Sequence, residues 1–265
     1  MTKEEQILCK HLLDLAQNAY QRDCTVFSNF LNLNEQDVFL SIVDQLPPVT
    51  YVLDGGYPLA ERKQVYFSPI GAGLFAQAPL YYQSSEQEGR NLFLDVVEIQ
   101  PRSAKFAETL THRDYLGAIL NLGIIRGKLG DLILEENSCK VICMEEISDY
   151  IVTNLERVRH TPIQCKKIPM QAFEYIPKQK EVRGSIASER LDAVIGLAFR
   201  TSRTKMTGLI AGEKVFVNGK MITSNSYPLK EGDIVSVRGF GKFSYYGREK
   251  QTKKGRYFVK LGVYE

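Results

Sequence analysis

The chain has 265 residues, 44% of them hydrophobic and 25% charged, the ordinary make-up of a soluble globular protein with room for two or three domains. No apolar run approaches the ~20 residues that a membrane span needs, and Met1-Thr-Lys-Glu-Glu carries no signal-peptide core, so a cytoplasmic protein without a membrane partner is expected. The net charge of +3 conceals an asymmetry: residues 181–265 hold 16 Lys and Arg against 8 Asp and Glu, whereas residues 1–180 hold 18 against 23. A basic C-terminal third behind an acidic remainder points to a polyanion partner.

Along the chain, residues 3–20 read as a helix, with Ile7, Leu8, His11, Leu12, Leu15 and Ala16 at helical spacing. His11 falls on that stripe and is read as a core histidine, not a ligand. Asn34 is expected to cap a second helix over 35–46, ended by Pro47-Pro48. Strands are expected at 49–53 and 64–67, with the turn Asp54-Gly55-Gly56 and a helical turn at 59–63 between them. Residues 69–91, rich in Gly, Ala, Ser and Gln, read as a boundary or long loop.

The central stretch carries strands at 92–99, 129–135, 140–145 and 163–168, and helices at 112–122 and 147–155. That order, β-α-β-β-α-β, is shared by ferredoxin-like folds and RNA-recognition modules. In the latter, sheet aromatics stack bases, yet Lys140-Val-Ile-Cys-Met-Glu145 has none. RNA contacts here would therefore come from helix and loop groups: His112, Arg113, Asn121, Arg126 and Lys128. The five cysteines form no Cys-x-x-Cys pair, and Cys139 and Cys143 have no His nearby. They read as reduced thiols, with neither a zinc site nor a cofactor expected.

Residues 169–184 read as a linker. Beyond them, Arg190-Leu-Asp192 opens a helix through Val194, Ile195 and Leu197, and Ser202 caps a second helix whose first turn carries Arg203 and Lys205. Basic residues at that end oppose the helix dipole, which makes a phosphate partner the better explanation for them. Val215-Phe-Val-Asn218-Gly219-Lys220 is a hairpin signal, since both turn positions need positive φ. Gly232-Asp-Ile-Val-Ser-Val-Arg238-Gly239 follows, then two further strands at 242–247 and 256–263, joined by a basic tip containing Lys253 and Lys254.

The pattern over 185–239 resembles the RNA-binding module named after small-subunit ribosomal protein four, the S-four domain. Gly55-Gly56-Tyr57 with Ala60-Glu61-Arg62, His112-Arg113-Asp114-x-Leu-Gly117-Ala118, Asn121-Leu-Gly-Ile-x-Arg126-x-Lys128-x-Gly130-Asp131 and Val237-Arg-Gly-Phe-Gly-Lys-Phe extend the likeness, over nearly the whole chain, to the YlmH family. The resemblance implies a three-part bacterial protein that associates with the large ribosomal subunit and acts on obstructed subunits still holding peptidyl-tRNA, in quality control of the stalled chain. The family gene sits among cell-division genes, which leaves a division-apparatus interaction open.

The fold expected is α+β: a small N-terminal α/β domain (1–75), a ferredoxin-like domain (76–168), the linker (169–184), and an S-four domain with an added hairpin (185–265). No Gly-x-x-x-x-Gly-Lys loop is present, Gly71-Ala-Gly73 does not continue into a cofactor turn, and the only Arg-Leu-Asp lies inside the binding module. The function expected is a non-catalytic factor that binds rRNA of the large subunit and tRNA, as a monomer, with ribosomal proteins as further partners. Affinity is assigned to Arg190, Arg203, Lys205, Lys214, Lys220 and Arg238. Ser202 serves as cap, Asp192 orients Arg190, and Asn218 is a turn former first and a base contact second. Secondary RNA contacts are Arg62, His112, Arg113, Arg126, Lys128, Lys253 and Lys254. The alternative is an RNA-modifying enzyme with its site around Tyr57, Arg62 and Arg113.

Overall fold

The computed structural model describes residues 1–57, 59–70, 93–103, 108–251 and 255–264, in two compact units, Met1–Ile176 and Pro177–Glu265. The expected loop at 69–91 falls almost wholly outside the described residues, as do Gly71 to Gly73, Lys253 and Lys254.

In the first unit, helix α1 (Lys3–Arg22) starts at a capping box in which Thr2 and Glu5 each satisfy the other's backbone N–H. Its buried stripe is Cys9, Leu12, Ala16 and Ala19. His11 lies off that stripe and is exposed, and Ile7 is 62% exposed. The core-histidine reading is thus corrected: the stripe through Cys9, Leu12, Ala16 and Ala19 faces the sheet, and His11 falls outside it. Strand β1 (Val26–Phe27) precedes helix α2 (Leu33–Leu40), whose cap is Asn32 rather than Asn34. Only Asn32 has a glutamate three residues on, and Glu35 returns a bond to the Asn32 N–H at 2.6 Å. Strands β2 (Val49–Asp54) and β3 (Gln64–Pro69) complete an antiparallel sheet of order β1-β3-β2, with α1 and α2 packed on it through Leu12, Phe39 and Phe67.

The second part of this unit comprises β4 (Leu94–Pro101), α3 (His112–Leu120), β5 (Leu129–Leu134), β6 (Cys139–Met144), α4 (Glu145–Asn154), β7 (Arg157–Val158) and β8 (Thr161–Pro169). The antiparallel order β5-β6-β4-β8-β7 is the split-βαβ arrangement with one short strand added at the edge. Alternation along β4 sends Val97 and Ile99 towards α3 and α4, where they meet Tyr115, Ile119 and Ile151. Leu94 and Val96 point the other way and are covered, with Ile142 and Met144, by Phe30, Met170 and Phe173. The face that an RNA-recognition module leaves open for bases is therefore the inside of this unit.

The second unit begins with β9 (Gln179–Ile186), followed by α5 (Leu191–Ala198), α6 (Arg203–Ala211), β10 (Val215–Val217), β11 (Lys220–Met221), β12 (Ile234–Val237), β13 (Gly241–Gln251) and β14 (Tyr257–Tyr264). They form one sheet, β11-β10-β12-β13-β14-β9, with both helices packed on Val215, Val235, Phe243, Val259 and Leu261. The linker reading of 169–184 is corrected: 179–184 pair in register with β14, from Gln179 opposite Tyr264 to Gly184 opposite Val259. Gly184 lets the strand pass Leu197 of α5, because a Cβ there would lie 2.4 Å from a leucine methyl.

Candidate nucleic-acid interface

The start of α6 is built as the sequence suggests. Ser202 is in extended conformation, and its hydroxyl accepts the Lys205 N–H at 3.4 Å. Asp192, in the first turn of α5, is 2% exposed and sits between two guanidinium groups. One carboxylate oxygen accepts from Arg190 Nε at 3.0 Å; the other accepts from Arg203 Nε at 3.0 Å and Nη2 at 2.8 Å. Burial alone would raise this carboxyl's pKa, but the bonds from Arg190 and then Arg203 outweigh it and hold it below the usual carboxylate range. The two arginines remain 44% and 52% exposed. A buried carboxylate thus fixes two half-exposed guanidinium groups, one at the start of each helix. It also supplies the negative charge that the dipole of α6 would otherwise lack at its start.

Two further basic residues of this unit are seated on aromatic rings. Lys205 Nζ lies 4.8 Å from the centre of the Phe240 ring, in the turn between β12 and β13. The Arg238 guanidinium lies 4.9 Å from that of Phe216. Arg238 N–H also donates to the Lys214 carbonyl at 2.9 Å, which places these two at the same end of the sheet. Such seating limits side-chain freedom while leaving the donors outward. Arg200, with a positive φ of 50°, is exposed in the turn between the helices. The sequence reading missed it, although the neighbouring Phe199, which packs edge-on to Phe243, marks the spot.

Asn218 and Lys220 belong elsewhere. Asn218 follows the far end of β10, about 13 Å along the strand from Lys214 at ~3.3 Å per residue, and Lys220 pairs opposite Val217 on β11. Asn218 has φ of 48° and Gly219 of 76°, as the hairpin requires. Its amide nitrogen donates to Asp233 at 2.8 Å, and its amide oxygen accepts from Ile234 N–H at 2.9 Å. Both ends of the amide therefore hold the turn together, the turn-forming role read first from the sequence.

In the first unit the secondary candidates separate. Arg62 Nε donates to the Leu129 carbonyl at 3.0 Å and Nη2 to that of Phe30 at 2.7 Å. Arg126 Nη1 donates to the carbonyls of Leu129 and Gly130, and burial, with Arg62 alongside, lowers its pKa to about 10. Asp131 accepts from the Tyr57 hydroxyl and the Glu61 N–H, each at 2.7 Å, and from the Arg62 N–H at 3.1 Å. Tyr57, Arg62, Arg126 and Asp131 thus form a polar joint between the two sheets of this unit. Lys128 pairs with Glu146. Of the three residues named for an RNA-modifying enzyme, Tyr57 and Arg62 are bonded into this joint, while Arg113 lines a groove with Asn121 and Asn154. His112 is exposed at the start of α3. None of the described helices is long and apolar enough to cross a membrane.

Comparison with known proteins follows this division. Residues 4–70 match the YlmH N-terminal model, residues 90–172 the model named for an RNA-binding domain in YlmH, and residues 189–235 the S4 domain. Ribosome-associated protein quality control protein P2 of Bacillus subtilis is 30% identical over 261 residues, 97% of this chain and 94% of that protein. Small ribosomal subunit protein uS4 of Desulfotalea psychrophila is 35% identical over 71 residues, 25% of this chain and 34% of that protein. A solved structure, cell division protein ylmH from Streptococcus pneumoniae, aligns with a TM-score of 0.47 at 17% identity, over 64% of this chain and 93% of that one. With a relative matched almost end to end and the family's regions following one another in order, the chain belongs to the YlmH family.

Proposed function

We propose that this protein is a non-catalytic, cytoplasmic RNA-binding factor of the ribosome. On this reading it associates with the large subunit and holds peptidyl-tRNA on stalled or obstructed subunits during quality control of the nascent chain. The observation that carries the reading is the clamp of Asp192 on Arg190 and Arg203, together with Lys205 and Arg238 of the same unit seated on the rings of Phe240 and Phe216. Guanidinium and ammonium groups presented in this way suit phosphate oxygens. The B. subtilis relative, named for ribosome-associated quality control, supports the setting. Holding an RNA in one pose requires no chemistry from the protein, and positioning alone would favour continued chain extension.

The test is sedimentation of the tagged protein through a sucrose gradient under translational stalling. The wild type is expected with large subunits, and the Lys205→Ala/Arg238→Ala variant near the top of the gradient. Equal co-sedimentation of the two would remove the basic edge from the account.

A further inference from the structure

The first unit contains a groove that the interface above does not use. It has a volume of about 600 Å3 and lies between α3 and the turn that links α4 to β7. Arg113 and Asn121 line it from the α3 side, and Asn154, Arg157 and Arg159 from the other. Resting on the reading of this chain as an RNA-binding factor, we infer that this groove is a second RNA site, which takes the sugar-phosphate backbone between Arg113 and the arginines of the β7–β8 hairpin.

Several independent features support it. The unit carrying the groove is acidic overall, yet Arg113, Arg157 and Arg159 gather here and all three are exposed. Three acidic residues are close by, and one of them is bonded chiefly to its own helix cap. Asp114 accepts from both the N–H and the hydroxyl of Thr111, at 2.8 and 2.7 Å, and its contact with Arg159 is a loose 3.8 Å. Glu108 stands 3.7 Å from Arg159, outside the groove, and Glu156 lines it. Arg159 has a positive φ of 53° in the two-residue turn between β7 and β8, where glycine would be easier. A long cationic side chain held in that conformation is the kind of local cost that marks a binding position.

The floor is open as well. At Gly117, on the exposed side of α3, an added Cβ would meet nothing within 4 Å. A helix face without a side chain lets a backbone approach closely. The sheet face used for stacking in RNA-recognition modules is closed here by Phe30, Met170 and Phe173. A domain of this topology that binds RNA must do so elsewhere, and the helix-side groove offers phosphate donors where the sheet offers none. Recognition here would follow backbone shape instead of base sequence.

The experiment measures binding of the full chain to deacylated tRNA and to a short RNA hairpin as a function of salt. Three variants are compared with the wild type: Arg113→Gln/Arg157→Gln, Gly117→Glu, and Lys205→Gln/Arg238→Gln. The groove pair should weaken binding about 10- to 100-fold and make the log–log salt slope shallower by roughly 1.5 to 2, as expected for two lost phosphate contacts. Gly117→Glu adds a carboxylate to the groove and replaces glycine in a helix by a better helix former. It should therefore lower affinity without lowering the melting temperature, which keeps the test decisive if the arginine pair proves to disturb folding. Unchanged binding in both groove variants, with loss in the Lys205/Arg238 variant, overturns this inference and leaves the proposed function standing. No loss in any variant overturns both. Normal binding to naked RNA but lost co-sedimentation with ribosomes in the groove variants would make the groove a protein contact, which also overturns it.

Discussion

At the scale of single residues, the centre of the proposed interface is a buried acid. Sequence alone suggests that Arg203 and Lys205, one residue apart in the first turn of α6, are equivalent surface cations. They are not: Arg203 is bonded twice to Asp192, whereas Lys205 rests on Phe240 in solvent. Lys205→Ala should leave stability within ~0.5 kcal/mol of wild type. Arg203→Ala removes two of the three bonds to a buried carboxylate and should cost about 1–2 kcal/mol, discounted for the half-exposure of the arginine. Thermal melts of the two variants check this, and equal melting temperatures would contradict it. The pH dependence has a definite sign. Because the folded Asp192 carboxyl lies below its ordinary value of 3.8, the stability it lends is complete above that pH and lost as pH falls through the folded value. Asp192→Asn should therefore melt lower than wild type at neutral pH, with the gap narrowing under acid.

At the scale of elements, what the sequence discloses is what is decided locally. The Asn218-Gly219 turn, the Ser202 cap and the alternating strands of the central sheet are readable because neighbouring residues determine them. The strand β9 is not, since its partner β14 lies some seventy residues on and its outer face is polar, with Glu181, Arg183 and Ser185 alternating with Val182 and Gly184. The roles of Arg62 and Arg126 are hidden for a related reason. A sequence shows that an arginine is present but not that main-chain carbonyls from distant loops converge on it. The β9 correction has a measurable consequence. A fragment spanning 177–265 should fold cooperatively, whereas one spanning 187–265 loses the buried Ile186 and uncovers the edge of β14. Burial of one such side chain is worth roughly 1.5–3 kcal/mol, so the shorter fragment should melt about 10 °C lower or fail to fold. Identical melting of the two would show that β9 is dispensable.

At the scale of the whole molecule, charge and architecture divide the labour. The acidic first unit encloses the sheet face that related topologies leave open, and the basic second unit presents the clamp and its ring-seated cations. The proposed role needs the second unit to supply most of the affinity for RNA and the first to add selectivity for one ribosomal state. The most direct measurement is crosslink mapping of the full-length protein on purified large subunits that retain peptidyl-tRNA. The account predicts crosslinks from peptides containing Lys205 and Arg238 to ribosomal RNA or tRNA, lost when those two residues are replaced. Crosslinks confined to ribosomal proteins, or an unchanged pattern in the substituted protein, would contradict it.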